Sequence, residues 1–287
     1  MRLVKLRLNA TPVQGGAMGS NRGDVLLIET SLEEHLVDYE SQRREVETFS
    51  AFCRTTVPGM RLFHERIHSL AGLRRIFQWC AEQNGKVEGD DRSPKTNIRH
   101  VHISCHGTTD SLALPLHEGD QERATQEAFL AAFSPLKTAG INTIFLSACA
   151  TAKNKELAAE LLKVTRAHAV VGYPYTAYDH VCSIAEQIFY FRLNLKPRTD
   201  VWDHVRAVND SLVLLGVDKN RFLVCWHRES DGGVKGPYPW WGAESELTET
   251  SRRSYITQLM ELVPERGALT DEKRQRARRI LNYLRDL

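Results

Sequence analysis

The sequence predicts an α/β fold, a mostly parallel sheet flanked by helices on both faces in three layers. Two observations predict it. Short apolar runs of strand length recur from residue 23 to residue 227, and segments with helical apolar spacing alternate with them. No internal repeat interrupts the alternation. A chain of 287 residues is long enough for one large domain or two small ones, with a substantial core.

The elements follow in order. "GDVLLIET" (23–30) reads as a short buried strand. Residues 31–54 read as a helix, with Ser31 as N-cap and Glu34 at capping-box spacing. "MRLFHERI" (60–67) is extended in pattern. A helix starts at Ser69, puts Leu70, Leu73, Ile76, Phe77 and Cys80 on one face and stops at Gly85. After the polar loop "KVEGDDRSPKTN", a strand spans about 98–105. "SLALPLHE" reads as a small hairpin or flap, and 123–139 as a helix. "INTIFLSA" (141–148) has buried-strand length, 153–164 is helical, and "HAVVGY" (168–173) is another buried strand. Helices near 180–195 and 199–215 precede a last strand, "RFLVCWH" (221–227). The Gly-rich piece 14–23 is a loop, and 270–287 is a basic helix with Thr270 as N-cap.

Bulk properties narrow the function classes. The charged fraction is 26%, the hydrophobic fraction 42% and the net charge +2, so no global polarity points to nucleic acid or membrane. No window approaches the length of an apolar membrane span, and charges interrupt the N-terminal "MRLVKLRLNATP", so no secretory core is expected. Six cysteines at 53, 80, 105, 149, 182 and 225 form no CxxC pair, which leaves zinc knuckles unsupported and suggests reduced thiols in a cytosol.

"RHVHISCHGTTD" (99–110) carries the functional signal. Val101, Ile103 and Cys105 alternate with His102, Ser104 and His106, a strand's period of two, until Gly107 stops the pattern at a residue that permits a sharp turn. Alternation puts His102 on the same side as His106, one step deeper, and Cys105 on the opposite side as a packing residue. His100 stands at the strand entry with no clear role. Cys149 likewise follows an inferred strand directly, at the carboxyl edge where open α/β sheets build their sites. A thiolate nucleophile needs a nearby base, and His106 on an adjacent strand tip would supply it. The backbone N–H groups of Gly107 and Cys149 would then receive the developing oxyanion. Cys–His acyl transfer is the chemistry expected, with no metal or organic cofactor.

These residues also resemble a family. "HISCHG" and "IFLSACATA" are similar to the His-Gly and Ser-Ala-Cys signatures of the CHAT group of caspase-like cysteine peptidases, relatives of caspases, metacaspases and separase. "SLALPL" resembles that group's segment after His-Gly, and "AVVGYPYTAYDHVCSIAEQIFYFRL" its next strand, turn and helix, so the resemblance spans about 98–215. It implies a caspase-hemoglobinase sheet over 23–243, after an N-terminal strand and loop (1–22) and before a helical C-terminal extension (244–287), with His106 as base and Cys149 as nucleophile. It also implies an endopeptidase cutting a specific protein target. A separate sensor or activator protein would control it, in bacterial stress or antiviral defence. The sequence departs from the family where "CATAKN" lacks the acidic residue and glycine that often follow the cysteine. In separase-like relatives a turn carboxylate binds a basic P1 side chain. The matching position here is Thr176, with Asp110 and Asp179 as further substrate-binding candidates.

Other readings stand beside this one. The chain could keep a caspase-like fold as a catalytically silent interaction module, and the departures after Cys149 point that way. "HERIH" (64–68) fits the HExxH zinc-peptidase pattern, with Glu88 as a conceivable third ligand, but that pattern works only on a helix, and the residues before it read as extended. "GPYPWWG" (236–242) is a turn-prone aromatic segment that could line a groove or cap the sheet edge, and the basic C-terminal helix reads as a solvated face.

Overall fold

The computed structural model describes residues 23–30, 49–85, 96–175 and 179–238, apart from positions 54, 58, 108, 121–123, 218–221 and 230. The expected N-terminal strand and loop, most of the helix over 31–54, Glu88, Thr176 and the C-terminal extension lie outside the described residues, although 49–53 is helical as expected. Seven strands form one sheet in the order β2-β1-β3-β4-β5-β6-β7. They are β1 (Asp24–Thr30), β2 (Leu62–Ile67), β3 (Ile98–Ser104), β4 (Thr143–Ser147), β5 (Ala169–Gly172), β6 (Val224–Arg228) and β7 (Val234–Tyr238). β2, β1, β3, β4 and β5 run parallel, and β6 and β7 close one edge antiparallel.

Helices cover both faces, as parallel strands require. On one face α1 (Leu70–Asn84), α2 (Gln126–Phe133) and α3 (Lys155–Thr165) bury Leu73, Phe77, Phe129 and Leu161 against Val101, Ile103, Ile144 and Leu146. On the other, α4 (Asp179–Leu195) and α5 (Val201–Leu214) bury Phe189, Tyr190, Val205 and Val208 against Leu27, Phe145 and Val171. Strand alternation thus sends each residue of a central strand into one of two cores, and full burial of each large apolar side chain contributes roughly 1.5–3 kcal/mol. The expected three-layer architecture is the one observed.

Local chemistry sets the boundaries. Ser69 is extended and its Oγ accepts from the Gly72 N–H at 3.2 Å, so α1 starts where the sequence places it. The helix expected over 123–139 is instead α2 followed by a 3-10 turn over Ser134–Thr138, because Pro135 has no N–H to continue the α ladder. "SLALPLHE" forms no strand. A bridge joins Gly107 to Leu112, and the Pro115 and Leu116 carbonyls accept from the Leu70 and Ala71 N–H groups at the start of α1. The segment beginning "GPYP" was expected to be a turn, whereas Gly236 and Pro237 belong to β7. Among the described residues β7 is an edge strand, and a proline is tolerated on the side that does not pair with β6.

"HERIH" lies on β2 and the loop after it, with no helical turn to bring His64 and His68 together. His64 Nε2 sits 2.9 Å from Glu29 Oε2, and Arg66 pairs with the same carboxylate at 3.4 Å, so His64 belongs to an ion-paired strand edge. The zinc-peptidase alternative is overturned on that geometry. Among the described residues no helix is long and apolar enough to cross a membrane.

Candidate active site

β3 and β4 pair in parallel register, with Ser104 opposite Ser147, and the Cys105 N–H extends the ladder to the Ser147 carbonyl at 3.1 Å. His106 and Cys149 each stand two residues beyond that last matched pair, at the carboxyl end of adjacent strands. His106 is exposed and Cys149 half-buried, so both are reachable from solvent. The other five cysteines lie within the core or against it, and burial pushes the thiols of Cys53 and Cys80 up to about 12. Cys105 packs against the α1–α3 side, as alternation predicts.

The need for a glycine at 107 has a different cause from the one the sequence suggests. Gly107 does not occupy the left-handed region. A Cβ there would lie 2.6 Å from Thr151 Cγ2, 2.9 Å from Ala148 Cβ and 2.9 Å from the Cys149 carbonyl oxygen. Close approach therefore requires the glycine: the His106–Gly107 backbone is packed directly on the loop that carries Cys149. The left-handed conformation falls instead on Ala150, at φ 57°.

That loop is tied down on several sides. Ala150 N–H donates to the Tyr175 carbonyl at 3.0 Å and Ala152 N–H to the Tyr173 carbonyl at 3.3 Å, both just past β5. Trp226 Nε1 of β6 donates to the Ala152 carbonyl at 2.8 Å. The methyl of Ala152, which stands where the family resemblance would put glycine, fits because Gly172 presents no side chain: a Cβ at Gly172 would lie 3.1 Å from Ala152 Cβ. Asn154 caps α3 by accepting from the Glu156 and Leu157 N–H groups, and its Nδ2 donates to Asp110 Oδ1 at 3.2 Å. Asp110 therefore bridges the segment after His-Gly to the helix after Cys149. Asp179 opens α4, and its side chain, like Thr176, lies outside the described residues.

Beneath the pair lies a polar layer. His102 is fully buried, stacked on Phe145 at a centroid distance of 4.9 Å, and burial pushes its pKa down to about 3, so it is neutral. Its Nδ1 lies 3.1 Å from the Tyr190 hydroxyl and its Nε2 3.4 Å from Glu186 Oε2. Glu186 Oε1 accepts from Ser147 Oγ at 2.5 Å and from the Tyr173 hydroxyl at 3.4 Å. A neutral His102 suits these neighbours when Nδ1 accepts from the Tyr190 hydroxyl and Nε2–H faces the Glu186 carboxylate. The buried position expected for His102 is the one observed. Its partners Glu186 and Tyr190 are not singled out by the sequence motifs. Their signal is one acidic residue among Cys182, Ala185, Phe189, Tyr190 and Leu193, the stripe that turns α4 toward the core.

No family model and no curated protein sequence matches the chain. Among solved structures it is similar to a secreted C11 cysteine protease from Bacteroides thetaiotaomicron called iotapain. That match has 10% identity and a TM-score of 0.47 over 86% of this chain and 72% of that one. A second similar structure is a secreted C11 cysteine protease from Bacteroides thetaiotaomicron in complex with an irreversible peptide inhibitor. It has 11% identity and a TM-score of 0.46, over 71% of this chain and 66% of that one.

Proposed function

We propose that the protein is a caspase-like cysteine endopeptidase in which Cys149 is the nucleophile and His106 the general base and acid. The observation that supports this reading is the matched position of the two residues past Ser104 and Ser147, with glycine backbone seated on the Cys149 loop. In the first step His106 accepts the thiol proton and the Cys149 sulfur attacks the scissile carbonyl carbon. The carbonyl electrons move to oxygen, toward the N–H groups of Gly107 and Cys149, and a donor at that position contributes on the order of 10²–10³ in rate. The intermediate collapses as the imidazolium gives its proton to the leaving amine. Water, deprotonated by His106, then attacks the thioester, and the thiolate departs to take back a proton.

The partner in this reading is a protein or peptide substrate. Control by a separate activator and a role in bacterial defence come from the family resemblance alone, and a cytoplasmic setting from the cysteine spacing. A second reading, a silent interaction module, is favoured by the left-handed Ala150 standing where the family often has an acidic residue. Incubating wild type, Cys149→Ala and His106→Ala with a peptide library and with proteins encoded beside the gene separates the two. The endopeptidase reading expects cleavage by wild type only. Cleavage that survives Cys149→Ala ends it, and a wild type silent toward every peptide and neighbouring protein supports the module.

A further inference from the structure

We propose that Glu186 is a positioning residue for the Cys149–His106 pair, its carboxylate clamping the ends of β3, β4 and β5 to helix α4 one layer below them. This inference rests on the endopeptidase reading above. Oε1 accepts from Ser147 of β4 and from Tyr173, immediately after β5, while Oε2 lies 3.4 Å from His102 Nε2 of β3. Ser147 lies two residues before Cys149, and His102 four residues before His106. Tyr173 also lends its carbonyl to Ala152 in the Cys149 loop. One acidic side chain thus touches every strand whose tip contributes to the site.

Fold stability alone gives no reason for the arrangement. A carboxylate withdrawn from water on a helix face otherwise made of Cys182, Ala185, Phe189 and Leu193 is destabilising relative to a packed apolar residue, even when hydrogen-bonded. The stacked and hydrogen-bonded surroundings of His102 leave that ring one orientation, between Phe145, Tyr190 and the carboxylate. Among the described residues the other titratable groups around the cluster are His100, whose ring meets that of Tyr190 edge-on at 6.2 Å, Cys182 on α4 and Cys53, which faces Tyr190. His102 is neutral, and the hydrogen bonds that the carboxylate accepts from Ser147 and Tyr173 are directional.

The test reads thiol reactivity and needs no substrate. Iodoacetamide alkylation of Cys149, followed by peptide mapping at neutral pH, is compared in wild type, Glu186→Gln, Leu193→Ala and His106→Ala. Leu193 is buried on the same helix away from the cluster, so its truncation loosens α4 without touching the clamp. Glu186→Gln is expected to slow Cys149 alkylation roughly tenfold, because the thiol loses its alignment with its base, whereas Leu193→Ala lowers the melting temperature and leaves the rate unchanged. The imidazole ¹⁵N spectrum of His102 should also change tautomer in Glu186→Gln alone. If His106→Ala leaves the alkylation rate at the wild-type value, the endopeptidase reading fails. If His106→Ala slows it and Glu186→Gln does not, the positioning role alone fails. Should Glu186→Gln not fold, Ser147→Ala and Tyr173→Phe each remove one donor and are expected to slow alkylation about threefold. Wild-type rates in both would overturn the proposal.

Discussion

Replacing Gly107 with alanine isolates the contact between the two halves of the site. The backbone there accepts an L side chain, so only the three neighbours decide the outcome. Two of them, Ala148 Cβ and the Cys149 carbonyl oxygen at 2.9 Å, cannot swing aside as a flexible side chain could. Restoring ordinary contact distances requires the His106 turn or the Cys149 loop to move by on the order of 1 Å. Overpacking of this kind costs about 1–3 kcal/mol, or a fall in melting temperature of roughly 2–4 °C for each kcal/mol in a domain of this size. A displacement of about 1 Å between nucleophile and base lowers turnover by about a hundredfold. The assay is a thermal melt beside peptide cleavage or Cys149 alkylation, with Gly119→Ala as control. Gly119 has φ +89° and open space around it, so alanine there is strained by backbone conformation and touches nothing in the site. The reasoning is refuted if Gly107→Ala melts and reacts like wild type, or if Gly119→Ala lowers reactivity as much.

Further outcomes follow from the buried polar groups. His102 has a pKa of about 3 when folded against an ordinary value of 6.5, so below 6.5 the unfolded chain binds a proton that the folded one refuses, and stability falls with pH through that window. Between pH 7 and pH 5 urea titration should show wild type losing about 2 kcal/mol more than His102→Gln. His204, lowered to about 4 by burial first and Arg192 second, adds a loss of the same sign that both proteins share. Asn154→Ala removes the cap on Glu156 and Leu157 and the link to Asp110, and is expected to destabilise by about 1 kcal/mol in a thermal melt. Asn209 Nδ2 donates to the Leu223 carbonyl and its Oδ1 accepts from the Leu223 N–H, so Asn209→Ala leaves both buried and should cost about 3 kcal/mol by denaturant titration.

The sheet was legible because β1, β4 and β5 are short apolar runs and the helices carry ordinary caps: Ser69, Gly85 and the run Leu70–Cys80 mark α1 without ambiguity. Where Pro135 interrupts an apolar pattern, periodicity overstates a helix that the missing N–H shortens. β7 escaped notice because its glycine and proline are turn residues in any local reading, and only pairing with β6 makes them a strand. His106 was legible as a strand-tip residue from the period of two, and Cys149 from its place just after the apolar run 141–148. The reason for Gly107 was not, since a close approach depends on Ala148, Cys149 and Thr151 across the gap. Glu186 was hidden for a related reason: its partners lie on three different strands, and no spacing in one chain segment encodes that convergence.

The central claim is that Cys149 is a thiol activated by His106 toward peptide carbonyls. It is tested most directly by exposing the folded protein to a pool of peptidyl acyloxymethyl ketones and mapping the adducts. The account predicts one adduct, on the peptide that contains Cys149, and its disappearance in His106→Ala with the fold intact. Labelling spread over several cysteines, or an adduct on Cys149 that forms as fast without His106, would contradict it.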